Sequence, residues 1–218
     1  MKYDRTKKLF GEEIFNLFQN TKIILLGVGG VGSFALDALY NTGITDITIV
    51  DFDTYEDSNM NRQLGSTGNI GRIKVDALKE KYPNVTPINV KITPEWIEEF
   101  DFSPYAYILD AIDDIKPKVH LIKTHFTRVI TTSGSAKRMD PSKIEYKSIW
   151  DTFNDPFIRK IKKELKREKF KKKFKVIFSS EAPNCIEKGS FEAVTGSFGL
   201  MMASVTIKKL INKNKIIT

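Results

Sequence analysis

The chain is predicted to be an α/β protein of the Rossmann-like kind. It should form a mostly parallel sheet with helices on both faces, extended by a basic helical insertion and a C-terminal helix. Three observations predict this. Short apolar runs alternate with helical periodicity up to about residue 134, the pattern of parallel strands joined by covering helices. Runs such as Ile23-Ile24-Leu25-Leu26 are apolar on both faces, as strands buried between helix layers must be. The first run ends in Gly27-Val28-Gly29-Gly30-Val31-Gly32, a glycine loop set between strand and helix.

The elements follow in order. Residues 12–20 form a helix with Ile14, Phe15, Leu17 and Phe18 apolar, and 22–26 form the first buried strand. Residues 33–40 have helical spacing and stop at Asn41-Thr42-Gly43. Residues 47–50 are the second buried strand, 73–82 a helix and 88–92 an alternating strand. A third buried strand over 105–109 reaches Asp110, followed by a helix at 119–126 and a strand at 128–132. Strands at 144–149 and 176–179 flank the basic stretch, and a long helix begins near Ser197. The length of 218 residues suits one domain spanning 1–218, with no internal repeat and no interdomain linker.

Composition narrows the classes. Hydrophobic residues at 41% and charged residues at 28% describe a globular chain and exclude a disordered one. No run of about 18 apolar residues is present, so no membrane span is expected. The N-terminus lacks a signal-peptide core, and a cytoplasmic protein is expected. Cys185 is the only cysteine, which excludes an internal disulfide, a four-cysteine zinc site and a Cys-x-x-Cys pair. A buried or incidental role is expected for it, not a thioester one. His120 and His125 have no Cys or His neighbours in sequence and read as ordinary residues.

The formal charge of +8 is unevenly placed. Residues 159–175 hold eleven Lys or Arg and two Glu, a local +9, and the remainder carries 24 basic and 25 acidic residues. The basicity is therefore one localised feature, a basic and mobile insertion over about 156–175. Such a concentration suits a nucleic-acid backbone, and Phe170 and Phe174 are candidates to stack on unpaired bases. The alternative is a solvated helix face whose phenylalanines dock on the domain.

The chemistry is concentrated between Ile23 and Asp114. Gly27, Gly29, Gly30 and Gly32 let the backbone turn tightly and approach phosphate, and the helix N-terminus offers free N–H groups. Asp51, at the end of the next strand, is placed to accept ribose hydroxyls. Up to this point a nicotinamide dinucleotide fits as well as ATP. The following Asn59, Arg62 and Lys74 favour a triphosphate, whose leaving pyrophosphate gathers charge. Their alternative is a solvated ion-pair network. Leu109-Asp110-Ala111-Ile112-Asp113-Asp114 ends another strand, where a carboxylate can hold Mg²⁺ against phosphates or merely cap the next helix.

Taken together, GVGGVGS, IVDFDTYEDSNMNRQ, GRIK and LDAIDD resemble the adenylating superfamily of ThiF, MoeB and the ubiquitin-activating enzymes. DRTKKLFGEE, DAIDDIKPKVHLI, TTSGSAKRMDPSKI, DPFIRKIKKELKRE and VIFSSE resemble one branch of it, the tRNA threonylcarbamoyladenosine dehydratases. The resemblance implies an ATP- and Mg²⁺-dependent homodimer that adenylates and cyclises threonylcarbamoyladenosine beside the anticodon. It implies phosphate-loop roles for Gly27, Gly29, Gly30 and Gly32, ribose binding by Asp51, and phosphate contacts from Asn59, Arg62 and Lys74. Asp113 is implied as the magnesium-associated carboxylate, with Arg62 and Lys74 also catalytic. Arg5 resembles the arginine that such homodimers reach across to the partner's ATP. The implied RNA grip is the segment from Arg159 to Lys175, with a helper protein left open. A second reading keeps adenylation but makes the acceptor the C-terminus of a ubiquitin-like sulfur carrier. Enzymes of that type usually carry paired Cys-x-x-Cys motifs, which this chain lacks.

Overall fold

The computed structural model describes residues 2–214. Met1 and residues 215–218, part of the expected 1–218 unit, lie outside the described residues. Seven strands form one sheet in the order β3-β2-β1-β4-β5-β7-β6. β1 (Ile23–Leu26), β2 (Ile47–Val50), β4 (Tyr107–Asp110) and β5 (Val129–Thr132) are buried at every position. They run parallel, as apolar strands with no polar face must when helices cover both sides. β3 (Thr86–Ile88) closes one edge in parallel with β2. At the other edge β7 (Lys175–Ser179) is parallel to β5, and β6 (Ile144–Ser148) is antiparallel to β7.

Helix α1 (Asp4–Gln19) is longer than the sequence pattern indicates and carries a kink at Gly11. Its buried residues, Ile14, Phe15 and Phe18, lie in the second half, while the first half adds Phe10 set edge to face with Phe18. α2 (Gly30–Thr42), α3 (Lys74–Lys81), α5 (Ile115–His125) and α7 (Glu192–Lys213) lie close to the expected positions. β3 starts earlier than residue 88, because Thr86-Pro87-Ile88 pairs with β2 despite its proline at an edge position. α4 (Pro94–Glu99) has no counterpart among the expected elements; it is a six-residue helix capped by Thr93, too short to show a repeat. Among the described residues, α7 is the one helix long and apolar enough to cross a membrane. Its Val194, Phe198, Met202 and Leu210 are instead buried in the main core cluster with residues of α2.

The basic stretch is a docked amphipathic helix, α6 (Pro156–Arg167). Asp155 Oδ1 caps it by accepting from the Phe157 and Ile158 amides at 2.9 and 3.0 Å. Ile158, Ile161 and Leu165 are buried, at roughly 1.5–3 kcal/mol each, which far outweighs any surface pair on the helix. Phe170 and Phe174 pack against the same cluster, edge to face with each other and, for Phe170, with Phe126. Both rings are partly buried there, the docked arrangement that was the alternative to stacking on bases.

Candidate active site

All the loops that leave the C-terminal ends of β1, β2, β4 and β5 open into one cleft of about 840 Å³. It lies where the sheet order reverses, between β1 and β4, the crevice in which open α/β sheets bind ligands.

The glycine loop forms one wall. Gly27 has φ +86°, a left-handed conformation, and lies under the carbonyl of Ala111. Gly32 sits so close to Gly27 that a Cβ there would fall 1.9 Å from the Gly27 carbonyl oxygen. That closeness folds the loop back on itself as α2 begins. Gly32 is thus a packing residue, whereas Gly27, Gly29 and Gly30 line the cleft. The nearest atom to a Cβ on Gly29 would be Gln63 Nε2 at 3.8 Å, so the loop leaves room for a ligand to touch backbone.

Asp51 faces the same space. Its Oδ2 accepts from the Val28 amide at 2.8 Å and its Oδ1 from the Asp53 amide at 2.9 Å. Burial pushes its carboxyl above the ordinary carboxylate value, against the pull of those two amides and of Lys74. Each oxygen retains a lone pair for a ligand hydroxyl. Lys74, the first residue of α3, is only 4% exposed and sits 2.9 Å from Asp53 Oδ2. Arg62 lines the cleft with Nη1 donating to the Ser58 carbonyl at 2.6 Å and to Asn61 Oδ1 at 2.8 Å. Both cations therefore face the cleft already oriented by neighbours.

The acidic strand end resolves into separate roles. Asp114 caps α5 by accepting from the Lys116 amide at 3.1 Å. Asp110 is wholly buried and bonded to Lys118 and Thr131. Asp113 is left exposed on the cleft wall. Besides Gly32, two expected residues are not brought to the cleft. Asn59 is buried in a 3-10 turn, Asp57–Asn59, where its Oδ1 accepts from the Glu56 amide at 3.2 Å; its carbonyl receives the Arg62 amide at 3.1 Å. Arg5 is exposed on α1, away from this chain's own cleft lining.

Sequence reasoning missed the far half of the cleft. It is built from Ser133 to Arg138 after β5, Asp155 and Lys160 at the start of α6, and Lys188 and Thr195 around the start of α7. Ser135 Oγ and Thr195 Oγ1 are 3.0 Å apart and tie two of these segments together. The Gly/Ser run after β5 was the available signal. Cys185 is exposed, with Sγ donating to the Glu187 carbonyl at 3.2 Å, so the buried alternative for it is corrected. His120 is paired with Glu98 at 2.7 Å, and His125 packs on Phe102.

Among the described residues, no group of three or more His, Cys, Asp or Glu could cage a metal. The carboxylate on the cleft wall is Asp113, a single ligand of the kind Mg²⁺ takes while completing its shell from phosphate and water. A structural zinc would not be satisfied here.

A glycine loop at the switch point, a ribose-competent carboxylate and two oriented cations define a nucleotide-binding α/β protein. The chain belongs to the ThiF family, which matches residues 3–218. It is similar to the tRNA threonylcarbamoyladenosine dehydratase of Bacillus subtilis, at 34% identity over 85% of this chain and 77% of the relative. The Escherichia coli enzyme of the same name is 29% identical over 97% of this chain and 94% of its own. Crystal structures of that Escherichia coli enzyme superpose with TM-scores of 0.93 in complex with AMP and 0.92 in complex with ATP. Identity is 31% in both, and they cover 98% of this chain and 96% and 95% of the other.

Proposed function

We propose that the chain is an ATP-dependent tRNA threonylcarbamoyladenosine dehydratase. The observation that carries this reading is the convergence of Arg62, Lys74 and Asp113 on the glycine-loop cleft. The likeness to the two bacterial dehydratases supports the choice of acceptor over a sulfur-carrier protein.

In this reading ATP lies along the glycine loop, with its ribose hydroxyls on Asp51. The free carboxylate of the threonyl side chain attacks the α-phosphorus. The bond to the β-phosphate breaks and pyrophosphate leaves, its growing charge met by Arg62 and Lys74. Mg²⁺, held by Asp113, would supply further charge neutralisation at the phosphates. A nitrogen or oxygen of the same carbamoyl group then attacks the acyl carbon. The bond to AMP breaks and one carbamoyl N–H proton is lost, so the net change is one water. Tethering supplies high effective molarity, so no protein nucleophile is required and Cys185 has no part. Asn59 acts by holding the turn that presents Arg62. Arg5 acts on the cleft of the partner in a homodimer, which accounts for its distance from its own. Residues 1–218 work as one adenylating unit in the cytoplasm, with the basic insertion as its RNA grip.

The test is mass spectrometry of nucleosides after incubation with ATP, Mg²⁺ and tRNA bearing threonylcarbamoyladenosine. Loss of one water with AMP release is expected. An unchanged nucleoside mass, with pyrophosphate exchange driven by a ubiquitin-like carrier, would replace the substrate and keep the site.

A further inference from the structure

A second cavity of about 470 Å³ opens beside the cleft and shares Asp155, Pro156 and Pro183 with it as common wall. Three groups give it a chemical character. Phe153 is 50% exposed, with its ring set edge-on to buried Phe178 at 6.0 Å and 77°. Lys147 Nζ lies 5.8 Å from the same ring centroid. Arg159, the second group, is exposed at the rim and is the first cation of the basic segment. Lys162 is committed elsewhere, donating to the Thr152 carbonyl at 2.8 Å.

The third group is Asp155, which is only 7% exposed. Its Oδ1 is taken up by the α6 cap, but its Oδ2 is buried with no hydrogen-bond partner in the protein. A buried carboxylate oxygen without a donor is destabilising, and it sits in the wall that both cavities share. The preceding residue is strained as well. Asn154 has φ +56°, held by its Nδ2 donating to the Ser180 carbonyl and by Arg138 Nη2 donating to its own carbonyl, both at 3.0 Å. That conformation costs a non-glycine residue about 1 kcal/mol, so the surrounding hydrogen bonds impose it. Its effect is to place an aromatic ring and a carboxylate on either side of one opening.

A ring face and a cation around a cavity of this size match one nucleotide: a base to stack and a phosphate. A peptide would need more apolar wall. We propose that this side pocket seats a nucleotide of the substrate RNA adjacent to the modified nucleoside, with its base on Phe153 and its phosphate on Arg159. The proposal rests on the reading that the main cleft takes that nucleoside. It goes beyond that reading by fixing the path of the RNA, from the basic face of α6 through the side pocket into the cleft.

The test is equilibrium binding of tRNA bearing threonylcarbamoyladenosine to the whole protein and to Phe153→Ala, Phe153→Trp and Arg159→Ala. ATP affinity and thermal unfolding serve as checks of folding. Phe153→Ala should weaken binding roughly 5- to 150-fold, the range for one stacked base, and Phe153→Trp should restore it. Arg159→Ala should lower the salt dependence by about one phosphate's share. Wild-type affinity and salt dependence in Phe153→Ala and Arg159→Ala would overturn the proposal and leave the dehydratase reading intact. A wild-type protein that binds no tRNA would overturn both.

Discussion

Lys118 Nζ lies 2.7 Å from Asp110 Oδ2, and neither side chain has any exposed surface. The pair is tied into the sheet end: Asp110 Oδ2 also accepts from Thr131 Oγ1 at 2.6 Å, and its Oδ1 accepts from the Ile112 amide at 3.1 Å. Desolvation pulls the Lys118 pKa below the ordinary lysine value, while the charge of Asp110 opposes that shift. The pair therefore fixes the turn that carries Asp113 to the cleft. Lys118→Met removes one partner and leaves a buried carboxylate without its counter-charge, which should cost about 3–5 kcal/mol. Urea unfolding reads this directly, and a loss below about 1 kcal/mol would mean the pair is dispensable.

Arg62 should act mainly on charge that develops during reaction. Arg62→Ala is expected to lower kcat by roughly 100-fold or more while changing ATP affinity much less. Single-turnover measurement of pyrophosphate release separates the two effects. Near-normal release would remove Arg62 from the site.

Cys185→Ser should cyclise the nucleoside at the wild-type rate, because its thiol lies on an exposed loop bonded to the Glu187 carbonyl. A folded variant that forms the adenylate but no ring would establish a covalent role for the thiol.

Alkaline stability should reflect buried phenols. Burial raises the pKa of Tyr55, Tyr82 and Tyr146, the last to about 12 from an ordinary value of 10.0. The folded state holds these protons longer than the unfolded chain does. Their contribution is therefore complete below pH 10 and falls as pH rises above it, for Tyr146 through about 12. Lys118 acts in the opposite sense as a single group. Unfolding free energies at about pH 8 and about pH 11 should show the loss, and Tyr146→Phe should reduce it. An equal loss in that variant would exclude Tyr146 as a source.

The exposed lysines of the basic segment should act on phosphates. Replacing Lys163, Lys166, Lys171, Lys172 and Lys173 with Gln should flatten the dependence of tRNA affinity on salt, by up to about 0.7–0.9 for each phosphate no longer neutralised. ATP binding should be unaffected. An unchanged slope would return the segment to a solvated face.

The near half of the site was legible because its determinants are local. Buried parallel strands are continuous apolar runs, and a loop that approaches phosphate needs glycines at fixed offsets after the first of them. Asp51 could be placed from its position just after a strand end, whereas the choice of Asp113 among the acidic residues after β4 came from the family resemblance. Lys118 was not legible, since a lysine on a helix gives no sign that it will be fully buried against Asp110. The roles of Asn59 and Gly32 also needed the fold: one holds a turn, the other packs on Gly27.

By itself, the sequence determined the order of the strands and of every α-helix but α4, the glycine loop and the position of the surplus charge. Each of these depends on periodicity or spacing within a few dozen residues. Only the tertiary structure decided which carboxylate caps, which is buried and which faces the cleft. It also decided that Phe170 and Phe174 dock partly buried on the domain while Phe153 is half open. The physical reason is that burial and partnership arise between segments far apart in the chain, such as Thr195 beside Ser135, and no local pattern encodes those distances.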